Sequence, residues 1–85
     1  MGKFEYKFEP KAFKQLAKLP FKIQTRIFSK LDFFCQKEPL YYADKLTDNE
    51  IGEFRFRIGN YRVVFDLEDK MIIILKIGHR SEIYR

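Results

Sequence analysis

Apolar and polar residues alternate one for one near the start of this chain, repeat every three to four residues through its first half, and return to alternation in its second. From Lys3 to Phe8, Phe4, Tyr6 and Phe8 fall on one side and Lys3, Glu5 and Lys7 on the other, the period of a half-buried strand. Pro10 ends that strand and suits the first position of a helix, where its φ is already right and its missing N–H is not needed. Phe13, Leu16 and Leu19, with Ala12 and Ala17, predict a short amphipathic helix that Pro20 interrupts. A longer helix follows, in which Ile23, Ile27, Leu31 and Phe34 form the apolar stripe with Phe28 and Cys35 beside it. Lys22, Arg26 and Lys30 lie off that stripe. Glu38-Pro39 closes the helix, because a residue before proline disfavours the helical region. Leu40 to Gly52 has mixed polarity and no sustained period, and reads as a loop crossing to the sheet.

Alternation resumes in Phe54-Arg55-Phe56-Arg57-Ile58-Gly59-Asn60-Tyr61-Arg62-Val63-Val64-Phe65. Gly59-Asn60 suits a two-residue primed turn, whose positive φ matches the twist of flanking strands. That turn sets Ile58 against Tyr61, Arg57 against Arg62, Phe56 against Val63, Arg55 against Val64 and Phe54 against Phe65. One face of the hairpin is then aromatic and aliphatic, and the other carries Arg55, Arg57 and Arg62. Like charges directly opposite one another destabilise a sheet, by about the 0.2–1 kcal/mol that a favourable pair contributes, and a polyanion crossing that face would reverse the sign. Extending the same register sets Glu53 against Asp66, a second like-charged pair unless pairing has stopped. Glu68-Asp69-Lys70 makes a further turn. Met71 to Ile77 is an apolar run broken only by Lys76, as in a central strand, and Gly78 to Arg85 is a short polar tail holding Ile83 and Tyr84.

Strand, two helices, then mainly antiparallel strands describe an α+β fold, with the helical hairpin packed on one face of a small sheet and the arginines left on the open face. Eighty-five residues, 46% hydrophobic and 18% aromatic, make a single domain, 1–85, with one core. Lys and Arg total 17 against 12 acids, and the net charge of +5 favours a nucleic acid or an acidic protein as partner. The lone Cys35, flanked by Phe33 and Phe34, reads as a buried thiol in a reducing compartment. No apolar run approaches the roughly 18 residues of a membrane helix and the charged start is not a signal peptide, so a cytoplasmic location is expected. One His, one Cys and scattered acids offer no metal-ligand spacing, and four dispersed glycines make no phosphate loop; no cofactor is expected.

Leu16-Ala17-Lys18-Leu19-Pro20, the Phe54–Phe65 hairpin, and Ile74-Leu75-Lys76-Ile77-Gly78-His79-Arg80 ending in Tyr84 together resemble the toxin components of the RelE/ParE superfamily of toxin–antitoxin modules. The resemblance spans almost the whole chain in order. RelE-like members are ribosome-dependent messenger-RNA endonucleases held inactive by a cognate antitoxin; ParE-like members share the fold and inhibit DNA gyrase. The RelE resemblance implies metal-free cleavage, in which the ribose 2′-hydroxyl attacks the adjacent phosphate and leaves a cyclic phosphate and a free 5′-hydroxyl. Such a reaction needs fixed cations at the phosphorane, a base and an acid.

Residue by residue, the resemblance gives Arg62 the scissile phosphate, Arg80 charge stabilisation or proton donation, and Tyr84 a base to stack on or a ribose to position. Arg55, Arg57 and Lys76 become RNA contacts. Some relatives carry a lysine as presumed base on the first strand of the hairpin, where this chain has only arginines and Glu53, and arginine is a poor base. Two candidates take its place: His79, whose unperturbed pKa of about 6.5 suits either role near neutrality, and Asp44 in the crossing loop. The expected partners are a RelB-like antitoxin, the ribosome and messenger RNA. The alternatives are a ParE-like gyrase inhibitor without chemistry and an inactive toxin relative that only binds its antitoxin.

Overall fold

A computed structural model describes residues 4–47 and 51–84; Lys3 at the expected start of the first strand, residues 48–50 of the crossing loop, and Arg85 lie outside the described residues. Strand β1 (Glu5–Phe8) leads into helix α1 (Pro10–Ala17), with Pro10 in its first turn. Helix α2 (Phe21–Gln36) starts directly after Pro20, whose carbonyl accepts the amides of Ile23 and Gln24 at 2.9 and 3.0 Å. Gln24 closes the corner between the helices by donating its side-chain amide to the Leu19 carbonyl at 2.9 Å. The crossing segment is more ordered than its composition suggests: a 3₁₀ turn, Pro39–Tyr42, runs into a short strand β2 (Ala43–Lys45). Three residues are too few to show alternation, and β2 is defined by its partner, with Asp44 facing Arg55 on strand β3 (Phe54–Ile58).

The sheet continues with β4 (Tyr61–Glu68) and β5 (Met71–His79), in the order β1-β5-β4-β3-β2. β1 runs parallel to β5 and every other pair is antiparallel. The hairpin register is the one the sequence implies, from Phe54 against Phe65 to Ile58 against Tyr61. Gly59 has φ +61° and Asn60 does not share the positive sign, the II′ arrangement with glycine first. The like-charged extension does not form, because β3 begins at Phe54 and the Glu53 amide instead donates to the Asp66 carboxylate at 2.9 Å.

Strand β5 carries one residue more than its partner. Val64 faces Lys76 and Phe65 faces Ile74, leaving Leu75 as a bulge. Ile72 and Ile74 point into the helix layer before it; Ile77 does so after it. Lys76 and Gly78 therefore turn onto the arginine face, and β5 continues two residues beyond the expected Ile77, to His79. The tail is also no loose polar end, since the Glu82 and Ile83 amides donate to the His79 carbonyl and Ile83 is buried.

The core lies between the helices and the sheet, where Ala12, Leu16, Ile27, Leu31 and Phe34 meet Phe56, Val63, Phe65, Ile72 and Ile74. Phe34, Phe56 and Phe65 stack in series with ring centroids 4.4 Å apart at each step. Removing one such ring costs about 3–5 kcal/mol, far more than any single surface charge on this sheet. Phe13, expected in the apolar stripe of α1, is more than half exposed and meets the core only through the edge of Phe8, because Ala12 and Leu16 take the inward positions.

Cys35 is buried as expected, and burial with the nearby charges of Asp32 and Glu5 pushes its thiol up to about 11 from 9.0. Tyr6, half-buried and donating to Asp32 at 3.1 Å, is pushed up to about 12 from 10.0, chiefly by burial and then by that hydrogen bond.

Two outcomes follow for stability. Replacing Gly59 by alanine forces a Cβ into the left-handed region, so urea titration should show a loss of about 1–2 kcal/mol, the nearby Arg26 guanidinium being free to swing aside. For Cys35 the folded pKa lies above the unfolded one, so its contribution is complete below pH 9.0 and is lost as pH rises through about 11. Cys35→Ala should flatten the fall of the unfolding midpoint across that window; an unchanged slope would assign the fall to Tyr6.

Candidate functional site

The face of the sheet turned away from the helices is lined by Arg55 and Arg57 of β3, Arg62 of β4 and Asp44 of β2. Asp44 takes up the repulsion between Arg55 and Arg57: its Oδ2 accepts from Arg55 Nε at 3.1 Å and forms an ion pair with Arg57 Nε at 3.2 Å. Arg55 is held a second time, donating from Nη1 to the Tyr84 hydroxyl at 2.6 Å. That bond, and after it the bond to Asp44, raises the Arg55 pKa against the opposing effect of burial. Arg62, directly across from Arg57, turns away and donates from Nη1 to the Gly59 and Tyr61 carbonyls at 3.1 and 2.9 Å.

The two carbonyl dipoles do not neutralise Arg62. Its pKa is lowered, first by burial and then by the positive charges of Arg55, Arg57 and Arg80, with Tyr84 acting in the opposite sense. Four guanidiniums lie within electrostatic reach of one another and Asp44 pairs with two of them, so an anion reaching Arg62 meets a positive field. Arg80 is brought here by its own backbone, whose amide donates to the Asn60 carbonyl at 2.8 Å and carries the β4–β5 ladder past His79.

The arginine face is not bare. Val64 is fully buried on it, and a Cβ on Gly52 would meet Val64 Cγ1 at 2.7 Å and Leu75 Cδ1 at 2.9 Å, so the end of the crossing segment lies across these side chains. Ile83 packs over Gly78, and Tyr84 then reaches across the sheet to Arg55. The C-terminal turn thereby forms one wall of the site and the β2–β3 edge the other.

Of the residues singled out in the sequence, Arg55, Arg57, Arg62, Arg80, Tyr84 and Asp44 converge on this face, and Lys76 stands on it opposite Val64. His79 does not. The bulge places it with Tyr61 and Ile77 on the helix side, its ring 5.4 Å from the Tyr61 ring and lining a shallow hollow of about 350 Å³ with Gln15, Lys18 and Leu19. The Ser81 amide donates to His79 Nδ1 at 3.1 Å, which leaves the proton of the neutral ring on Nε2. One residue went unmarked in the sequence. Arg26 of α2 lies so close to the hairpin tip that a Cβ on Gly59 would meet its Nη1 at 2.8 Å, and its spacing of four from Lys22 and from Lys30 was the signal available.

A family model described as the ParE toxin of type II toxin–antitoxin systems matches residues 6–84. The chain is a toxin of the RelE/ParE superfamily. It is 30% identical over 84 residues to Toxin RelG of Mycobacterium tuberculosis, covering 96% of this chain and 97% of that one. Its fold matches the toxin–antitoxin complex RelBE2 of Mycobacterium tuberculosis with a TM-score of 0.82 at 26% identity, covering 96% of this chain and 97% of the other. The archaeal RelE–RelB complex of Pyrococcus horikoshii matches with a TM-score of 0.74 at 28% identity, covering 94% and 98%.

Asp44→Ala removes the shared counter-charge from two arginines. A loss of about 0.5–1 kcal/mol in unfolding free energy is expected, and added phosphate should restore most of it. A deficit insensitive to phosphate would mean that Asp44 acts by packing rather than by charge.

Proposed function

We propose that this toxin is a ribosome-dependent messenger-RNA endonuclease, acting in the cytoplasm where translated transcripts are found and held inactive by a RelB-like antitoxin. The observation that carries this reading is the charge on Arg62: half-buried, across from Arg57, and pressed by Arg55, Arg57 and Arg80 at once. A phosphodiester gains one negative charge in the phosphorane, and preformed cations at that point stabilise the transition state more than the ground state. Arg62 and Arg80 grip the scissile phosphate, Arg55, Arg57 and Lys76 hold the flanking backbone, and Tyr84 orders the adjacent nucleotide. Asp44, the carboxylate that stands on this face between Arg55 and Arg57, takes the place of the base, and His79, on the helix side of the sheet, is left out of the chemistry.

A transcript translated in a cell-free system should show new 5′ ends within codons by primer extension, and the same RNA without ribosomes should stay largely intact. Arg62→Ala should lower cleavage by about 10²–10³-fold while leaving antitoxin binding near that of the parent. Intact transcripts together with blocked DNA supercoiling would select the ParE-like reading instead. Intact transcripts with neither effect would leave a toxin relative that only binds its antitoxin.

A further inference from the structure

From Pro10 to Leu31 the helical hairpin contains Lys11, Lys14, Lys18, Lys22, Arg26 and Lys30 and not one acid. The last three stand at i, i+4 and i+8 on α2, all exposed, so like charges stack along one line of a helix that gains nothing from them. The same line continues into Phe33, with the Lys37 ammonium 5.8 Å above its ring. Tyr42 meets Phe33 edge-on at 5.6 Å, and Tyr41, 81% exposed, meets Tyr42 at 5.2 Å. In the middle of the line, Arg26 lies against Gly59, in the turn whose Gly59 carbonyl accepts from Arg62. Cations therefore run from the guanidinium cluster, over the hairpin tip, and along α2 from Lys22 to Lys30 for about 12 Å, with open aromatic rings beyond Lys30.

We propose that this flank of α2 is a track for single-stranded RNA leading away from the site, its phosphates on Lys22, Arg26 and Lys30 and a base stacked on Tyr41. The assignment extends the nuclease reading by naming where the strand goes. Cations in line with exposed rings suit a single strand, which offers a phosphate charge and a flat base at every step. An acidic protein segment would match the charges but leaves the most exposed ring, Tyr41, without a reason to lie at the end of a basic line.

The test is fluorescence anisotropy of the full chain with a labelled 2′-O-methyl RNA of about twelve nucleotides, which lacks the hydroxyl that cleavage needs. Lys22→Gln combined with Arg26→Gln and Lys30→Gln should weaken binding at least about tenfold and lower the salt slope by about two, at roughly 0.7 per phosphate contact on a single strand. Tyr41→Ala should weaken it by between about fivefold and a hundredfold with the slope unchanged. On an RNA duplex, whose bases are hidden, the triple variant should still lose affinity and Tyr41→Ala should not. All four side chains are exposed, so unchanged unfolding midpoints will show that the fold is kept. Parental affinity and slope in the triple variant would overturn the proposal, as would failure of the parent to bind the oligonucleotide, or a loss confined to antitoxin binding. Stripe-dependent binding by a protein that leaves translated transcripts intact would sink the nuclease reading and leave the track standing.

Discussion

A strand buried on both faces has no place for a cation, and β5 is such a strand as far as Ile74. Beyond that point it has to supply an apolar residue to the helices, leave room opposite Arg62, and turn Lys76 away from the core. Strict alternation would do the reverse, sending Lys76 and Gly78 inward and Ile77 outward. The extra residue at Leu75 shifts the parity by one, and every later position follows from it: Ile77 into the core, Gly78 beneath Ile83, and Arg80 onto the hairpin turn. A bulge beside a functional surface is a common use of the device, since it re-aims side chains without altering strand order.

The arginine face is assembled against its own electrostatics, and the core supplies the means. Arg57 and Arg62 sit directly opposite, a pairing that costs on the order of 0.2–1 kcal/mol, while the stacked rings beneath them each contribute several times that. The fold therefore holds the charges in place whether or not an anion is present. Asp44 and the turn carbonyls then orient individual guanidiniums without cancelling the field, because one carboxylate serves two arginines and carbonyls carry only partial charge. Arg62, whose bonds are to carbonyls and not to Asp44, is already in place when a phosphate arrives, which is the condition under which a cation favours a transition state.

Much of this was legible in the sequence because the hairpin is a local structure. Gly59 determines the turn, the turn determines the register, and the register puts three arginines on one side. The two prolines bounded α1 for a similar reason, each acting on its own backbone. Features that depend on distant residues were hidden. Strand β2 is three residues long and exists only as the partner of β3; the Leu75 bulge is visible only against Val64; and His79, adjacent to Arg80 in sequence, is carried to the other side of the sheet by that bulge. Ile83 looked like part of a polar tail, although it is buried by a turn whose Glu82 and Ile83 amides return to the His79 carbonyl.

Whether β3 carries arginine or lysine bears directly on the proposed chemistry. A lysine can lose its proton in a crowded cationic site and so serve as a base, whereas a guanidinium stays charged and offers paired donors to phosphate oxygens. With Arg55 and Arg57 in those positions the face gains grip and gives up an acceptor. Asp44 is a carboxylate on the same face, paired with both arginines through the same oxygen. On the nuclease reading the carboxylate has two duties that compete: it orders the guanidiniums while they are unoccupied, and it can accept the 2′-proton only as a phosphate draws them away. Binding of the backbone and activation of the nucleophile are then one event, which would keep a small basic protein from attacking RNA that is merely nearby.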